Sequence, residues 1–230
     1  MGNVAPSEPP SQAATTLATQ RNLGNWLFTV EAKKGFGLKK WRDSRLYMYH
    51  NGAVITGPDG YMAAYEWYDA RILQNLRTVN GVDSDARYTL IDPNGAAVSI
   101  GFGSWAFIGR QKERYGVTSH VQGAPFLYPH DWGRHIQASI RNFQLPDVLA
   151  RIERGETIDF GVYRADKQGV SGSKHRAAWE EITELGYVVG KVCFNGSQKR
   201  TTVDSEPTSY VVNLDLFMKL CHRLAPIATS

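Results

Sequence analysis

The histidines are the first residues to consider for chemistry, because imidazole can ligate a metal or transfer a proton near neutral pH. The stretch YPHDWGRH contains His130, Asp131 and His135. On a helix, Asp131 and His135 would share one face, so they are candidate metal ligands. The neighbouring sequence contains no evident third ligand, and His120 is a candidate for it. The simpler interpretation, which we favour, is that Asp131 caps a helix starting at Trp132 and the histidines lie at the surface.

Nucleophilic catalysis has less support. Cys193 could act with His175 and Asp204, as a thiol activated by an imidazole and a carboxylate. No motif links these residues, however, and Cys193 falls in an apolar strand, where a buried thiol is usually inert. The sequence therefore predicts no catalytic residue, no resident metal and no cofactor. A hydrolytic enzyme with a His/Asp site between two halves of the chain is the minor alternative.

The segment KKGFGLKKWR concentrates positive charge between two predicted strands. Its cations are Lys33, Lys34, Lys39, Lys40 and Arg42. Several cations beside exposed backbone amides suit an anionic lipid or a phosphate, and the two glycines allow a close approach. Phe36 and Trp41 could contact a membrane, although one of them is expected in the core. A solvated, charged hairpin tip is the simpler alternative.

Composition limits the classes of partner. The 230 residues are 42% hydrophobic and 11% aromatic, which is enough for a packed core. The net charge of +4 permits an anionic partner but is low for a nucleic-acid-binding chain. The two cysteines form no CxxC pair, and the start MGNVAPSEPP lacks the pattern of a secretory signal. We expect a cytoplasmic protein, peripheral to the inner face of the membrane if the basic segment binds lipid.

Two parts of the chain show short strands separated by tight turns. Turns are predicted at residues 50–52, 58–60, 92–95 and 167–169, and residues 187–194 are predicted to form one strand. A stretch that contains no strand signal separates the two parts. It starts with the mixed segment 104–131 and continues as two predicted helices. The first begins at Trp132 and the second opens at Pro146.

The ends of the chain differ in character. Residues 1–22 are rich in Pro, Ser, Ala, Thr and Gln, and they predict a disordered tail. The stretch NLDLFMKLCHRLAP predicts an amphipathic helix with Asn213 as its N-cap and Asp215 in its first turn.

The two strand-rich parts repeat one pattern. Residues 52–67 and 169–179 are predicted to correspond, since each begins with glycine and ends with tryptophan. Trp67 and Trp179 are expected to be inward anchors, each on a mid-domain strand of one of two equivalent units, because an indole buries more apolar area than almost any other side chain.

Segment 104–131 interrupts the repeat and is predicted to be an insertion. A loop of this length inside a compact domain is usually functional or mobile. Its aromatic residues suit contact with a partner protein. They are Trp105, Phe107, Tyr115, Phe126 and Tyr128.

The stretches LYMYHNG, IERGETIDFG, VYRADKQGV and AAWEEI resemble a bacterial family of proteins with two tandem pleckstrin-homology (PH)-like units. The resemblance covers about residues 23–225, and its most specific part is the Gly-Glu-x-x-x-Phe-Gly step at residues 155–161. It implies an α+β fold of two small antiparallel β-barrels or sandwiches, each followed by a C-terminal amphipathic helix. The first unit is expected over residues 23–155 and the second over 156–230.

PH-like folds imply docking to phosphoinositides, peptides or proteins, and the fold alone does not choose among them. The sequence therefore favours a non-enzymatic docking or adaptor protein that binds another protein through segment 104–131. Binding of an anionic lipid or phosphate at residues 33–42 is the alternative. A nucleic-acid partner is disfavoured.

Overall fold

The computed structural model describes residues 8–103, 110–195 and 201–227 of the chain. Over these residues the chain has an α+β fold, as the sequence predicts, with four small sheets, none of them closed into a barrel. Three sheets are antiparallel, and the fourth also contains one parallel pair. In the part that the structure describes, no helix is long and apolar enough to cross a membrane.

The first half of the chain contains two four-stranded sheets. The first is an antiparallel meander of β1 (Trp26–Glu31), β2 (Arg45–Tyr49), β3 (Gly52–Thr56) and β4 (Met62–Glu66). The second contains β5 (Arg71–Val79), β6 (Val82–Ile91) and β7 (Ala96–Phe102), with β8 (Ser119–Gln122) added parallel to β7. The short helix α2 (Arg110–Arg114) precedes β8, and the long helix α3 (Pro129–Glu153) follows it.

The second half repeats this order with shorter strands. A four-stranded meander contains β9 (Ile158–Asp159), β10 (Arg164–Ala165), β11 (Gly169–Ser171) and β12 (Arg176–Ala178). A three-stranded meander of β13 (Glu184–Val188), β14 (Lys191–Asn195) and β15 (Thr201–Pro207) comes next. The helix α4 (Leu214–Leu224) follows, in the place where the sequence predicts it. Both halves thus run from a four-stranded meander through a second sheet to a helix.

The two tryptophans occupy equivalent positions in this order. Trp67 directly follows β4 and Trp179 directly follows β12, so each lies at the corner between the two sheets of its half. The backbone N–H of Trp67 donates to Asn51 O at 2.8 Å, and that of Trp179 donates to Gln168 O at 3.2 Å. Both side chains are buried, as the repeated pattern predicts. The predicted position on a strand is wrong, because the chain turns from one sheet to the next at each tryptophan.

The glycines that open the repeated stretch have one physical role. Gly52 starts β3 and Gly169 starts β11, and each is paired with the residue that precedes the tryptophan of its half. A Cβ atom on Gly52 would lie 2.3 Å from Tyr65 O, and one on Gly169 would lie 2.0 Å from Ala177 O. At both corners the backbone of the neighbouring strand lies too close to the glycine to leave room for a side chain.

Helix α3 contributes buried side chains to both hydrophobic cores. Trp132, Ile136 and Ile140 pack in the core of the first half, whereas Val148 and Ile152 pack in the core of the second. This packing explains why the predicted break at Pro146 is wrong. A proline inside a helix removes one backbone hydrogen bond, but here both ends of the helix are held by burial. The helix runs through Pro146 without interruption.

The predicted disordered tail is wrong for residues 12–20, which form helix α1 (Gln12–Gln20). Ser11 caps this helix by accepting a hydrogen bond from Ala14 N at 3.3 Å. Ala14 and Ala18 are buried against Tyr47, Tyr49 and Val54 on the outer face of the first sheet. Leu17 is the only large aliphatic side chain on this face of α1. The helix therefore contains few large apolar residues, and its composition resembles that of a disordered tail.

Asn213 joins the two halves. It is the N-cap residue of α4, as the sequence predicts, with a left-handed backbone (φ 50°), but its side chain makes no capping hydrogen bond. Its Oδ1 accepts from Ile72 N at 2.8 Å, and its own N–H donates to Ile72 O at 2.8 Å. Its Nδ2 donates to Gln144 Oε1 at 3.0 Å and to Ala70 O at 3.4 Å. This buried residue of the second half therefore completes the backbone hydrogen bonding of β5.

Candidate functional site

The loop between β1 and β2, residues 32–44, contains all five candidate cations and is fixed at its base. Ala32 is buried and forms an isolated β-bridge with Phe126, and Lys33 N donates to Pro125 O at 2.7 Å. At the other end, a single 3₁₀ turn over Lys39–Trp41 places the Trp41 side chain in the core of the first half. The loop is therefore held at both ends by buried residues.

Phe36 lies at the tip of this loop and is fully exposed, at 107% of its reference area. Gly37 follows it with a positive φ of 75°, a conformation that favours glycine. The sequence predicts that one of Phe36 and Trp41 is buried, and the structure identifies Trp41 as the buried one. The other aromatic side chain is presented to solvent.

The cations surround the base of the tip. A cavity of about 210 Å³ lies there, and its lining residues are Lys34, Gly35, Leu38, Lys39 and Arg42. The Lys34 ammonium lies 3.2 Å from Glu31, and the Lys40 ammonium lies over the Trp41 ring at 4.7 Å. Lys33 lies over the Phe102 ring at 5.8 Å from its centroid.

The charge of the loop is unbalanced. Over residues 31–43, five cations face two acids, Glu31 and Asp43, and all five cations are exposed. A concave patch with several ammonium groups and a guanidinium attracts an anion of several charges, such as a phosphate or a layer of anionic lipid headgroups. The exposed phenyl ring of Phe36, in the same loop, adds an apolar contact.

The aromatic residues proposed for contact with a protein partner do not form one surface. Tyr115 and Phe126 are buried, so their predicted partner role is wrong: tertiary packing places them inside the fold. Tyr128 is 71% exposed, just before α3. Trp105 and Phe107 lie outside the described residues.

The histidine candidates have separate partners. His130 Nε2 lies 2.6 Å from Asp83 Oδ2, and this hydrogen bond lowers the pKa of Asp83. Asp131 binds Arg134 at 2.7 Å. It lies inside the first turn of α3, which begins at Pro129, so the expected N-cap role of Asp131 is wrong.

His135 and His120 complete this set. His135 packs edge-on against Phe28 with ring centroids 5.3 Å apart, and burial lowers its pKa. His120 Nε2 lies 2.8 Å from Ser99 Oγ, and burial, then Lys112 and Arg87, lower its pKa. Among the described residues, no three His, Cys, Asp or Glu side chains are grouped to hold a metal ion.

Of the nucleophile candidates, the structure brings together only His175 and Asp204. Asp204 accepts hydrogen bonds from Lys174 N and His175 Nδ1, both at 2.6 Å, and these hold the pKa of its carboxyl well below the usual range. They attach the β11–β12 turn to β15. Cys193 Sγ lies instead 3.4 Å from Ser205 Oγ. The His–Asp pair thus has a structural role, without a thiol beside it.

Sequence reasoning missed one exposed apolar feature. Residues 187–194 form not one strand but the end of β13, a tight turn at Val189 and Gly190, and most of β14. The missed signal is the step Val-Gly, which resembles a continuing strand more than a turn.

A scan against models of protein families gives no match for this chain, and a search of curated proteins gives none either.

Proposed function

We propose that this chain is a non-enzymatic docking protein of two PH-like units, and that its first unit binds an anionic membrane surface through the β1–β2 loop. The observation that carries the proposal is the fully exposed Phe36 in a loop that also contains five exposed cations. A loop anchored at both ends holds this group in place.

The physical chemistry of a membrane surface matches this arrangement. Each Lys or Arg near an anionic leaflet contributes about 1 kcal/mol of attraction, and an inserted apolar side chain contributes through the area that it buries. Either term alone gives weak binding, and together they give stable attachment. A solvated hairpin tip would explain the cations but not a phenyl ring held in water.

The element order supports the assignment to PH-like units. Each half has a four-stranded meander, then a second sheet with a three-stranded meander, then a helix that contributes to the core of its half. The two tryptophan corners, with their matching glycines and backbone hydrogen bonds, indicate two copies of one unit. Docking of a partner protein through segment 104–131 is less favoured, because Tyr115 and Phe126 lie in the interior.

Charge reversal in the loop tests the proposal. We expect the double variant Lys39→Glu/Lys40→Glu to bind vesicles of phosphatidylserine and phosphatidylcholine at least about tenfold more weakly than the wild type, since two attractions become repulsions. Binding of the wild type should also weaken as salt rises. The measurement is co-sedimentation with vesicles at low ionic strength.

The control has the same change in net charge elsewhere. Lys167 and Lys219 are exposed residues of the second half, and Lys167→Glu/Lys219→Glu should keep most of the wild-type affinity. If both double variants lose affinity equally, binding follows net charge alone and the loop is not the site. A wild type that does not sediment with anionic vesicles contradicts the proposed function as a whole.

A further inference from the structure

The hairpin of β13 and β14 ends in an unusual turn. Val188 is paired with Lys191, so the loop between them contains only Val189 and Gly190. Both have left-handed backbones, with φ of 48° and 71°. This is the pattern of a type I′ turn, which favours Asn-Gly and Asp-Gly because the first position must adopt a positive φ. Valine is β-branched and is a steric outlier there.

Within residues 8–103, 110–195 and 201–227, no contact offsets this strain. The Val189 side chain is 96% exposed, and its neighbours Tyr187 and Val188 are each more than half exposed. The tip therefore has a disfavoured backbone conformation and also three apolar side chains in water. A residue whose conformation and solvation are both unfavourable points to a contact that the isolated chain does not make.

The first half provides an internal comparison. Its hairpin of β5 and β6 occupies the same place in the element order, and Val79 is paired with Val82 across a two-residue turn. That turn is Asn80 and Gly81, with φ of 51° and 77°. The fold requires a type I′ turn at this place, and asparagine satisfies it. The valine at position 189 is therefore not a requirement of the turn.

We infer that the tip at residues 187–190 is a second membrane-contact site, which inserts Val188 and Val189 below the headgroups of an anionic bilayer. The inference rests on the proposed function. Tyr187 and Lys191 flank the apex, and an aromatic ring with a polar tip and a long cationic side chain suit the headgroup layer. The apex itself has no charge. The equivalent tip of the first half is followed by the exposed acid Asp83, which disfavours an anionic surface.

The test uses Val189→Asn, which makes the turn Asn-Gly and should preserve the fold. We expect a melting temperature equal to or above that of the wild type. We also expect affinity for phosphatidylserine/phosphatidylcholine vesicles to fall about tenfold, the effect of one valine side chain no longer buried. If Val189 acted only on folding, a variant at least as stable as the wild type would not bind vesicles more weakly.

Val82→Asn is the matched control, since Val82 is 70% exposed at the equivalent tip, and it should leave affinity unchanged. Unchanged affinity of Val189→Asn, with wild-type protein bound to the vesicles, overturns the inference and leaves the proposed function intact. Equal losses in both variants also overturn it, because the effect would then not be specific to this tip. A wild type that does not bind vesicles at all refutes both proposals.

Discussion

Replacement of Trp67 by alanine is expected to lower the free energy of unfolding by about 3–5 kcal/mol, the usual range for a buried aromatic side chain truncated in a core. Trp67 is fully buried at the corner between the two sheets of the first half. Its Nε1 has no hydrogen-bond partner among the described residues, so the loss comes from apolar burial and packing. Equilibrium unfolding in urea, followed by circular dichroism, measures it.

Trp179→Ala is expected to cost a similar amount. Trp179 is buried in the second core, and its Nε1 donates to Asp166 O at 3.0 Å, so truncation also removes one hydrogen bond. Trp67→Phe, which keeps an aromatic ring in place, should lose much less than Trp67→Ala. A loss near zero for either alanine variant would contradict the interpretation of these residues as the anchors of two equivalent units.

The substitution Asn213→Asp is expected to destabilise the protein at neutral pH by about 3 kcal/mol or more, the range for an uncompensated buried charge. The new carboxylate oxygen would face Ala70 O and Gln144 Oε1, both acceptors that now receive hydrogen bonds from Asn213 Nδ2. The carboxylate oxygen and the two acceptor oxygens would then lie close together with no N–H group between them, whereas Asn213 Nδ2 now donates to both acceptors. Thermal and urea unfolding at pH 7 measure the loss.

The pH dependence separates charge from shape. Burial raises the pKa of such a carboxyl above about 3.9, its value in the unfolded chain. The unfolded state therefore ionises first, and stability falls as pH rises through the window between the two values. We expect Asn213→Asp to recover part of its stability on acidification from pH 8 to pH 5. Asn213→Ala, which is also destabilised, should show no such extra recovery, and identical profiles for the two variants would contradict this account.

Some of the fold could be predicted because local signals agree with packing. The repeat of glycine and tryptophan predicts that both tryptophans are buried, because an indole buries a large apolar area. It does not predict the corners, which depend on close backbone contact at Gly52 and Gly169. The apolar stripe of α4 predicted that helix, because its periodicity and its burial coincide. Asn213 was recognised as the residue before this helix, but its partner, Ile72, is too distant in sequence for any local pattern to indicate.

The errors share a physical cause, because each depends on contacts distant in sequence. The fully buried residues of helix α1 are the small residues Ala14 and Ala18, so its composition resembles that of a disordered tail. Pro146 lies inside α3, because the two ends of this helix pack in different cores. Tyr115 and Phe126 lie in the interior, although an aromatic residue in a segment without periodicity indicates neither burial nor exposure.

The candidate site was partly predictable. The five cations of the β1–β2 loop are evident in the sequence, since charge requires no knowledge of the fold. The choice between Phe36 and Trp41 required the structure, because both aromatic residues lie among the same lysines. The Val189 turn was missed because valine favours a strand, whereas the backbone there is left-handed.

The most direct measurement of the proposed membrane contact places a reporter at the tip of the loop. The variant Phe36→Cys, in a Cys193→Ser background, leaves Cys221 as the other thiol, and Cys221 is fully buried. Labelling with a polarity-sensitive nitrobenzoxadiazole dye then reports on position 36. We expect the emission to shift to the blue and to rise with vesicles that contain phosphatidylserine, and to stay unchanged with phosphatidylcholine alone. An unchanged spectrum under conditions where the labelled protein sediments with anionic vesicles would show that this loop does not enter the membrane surface.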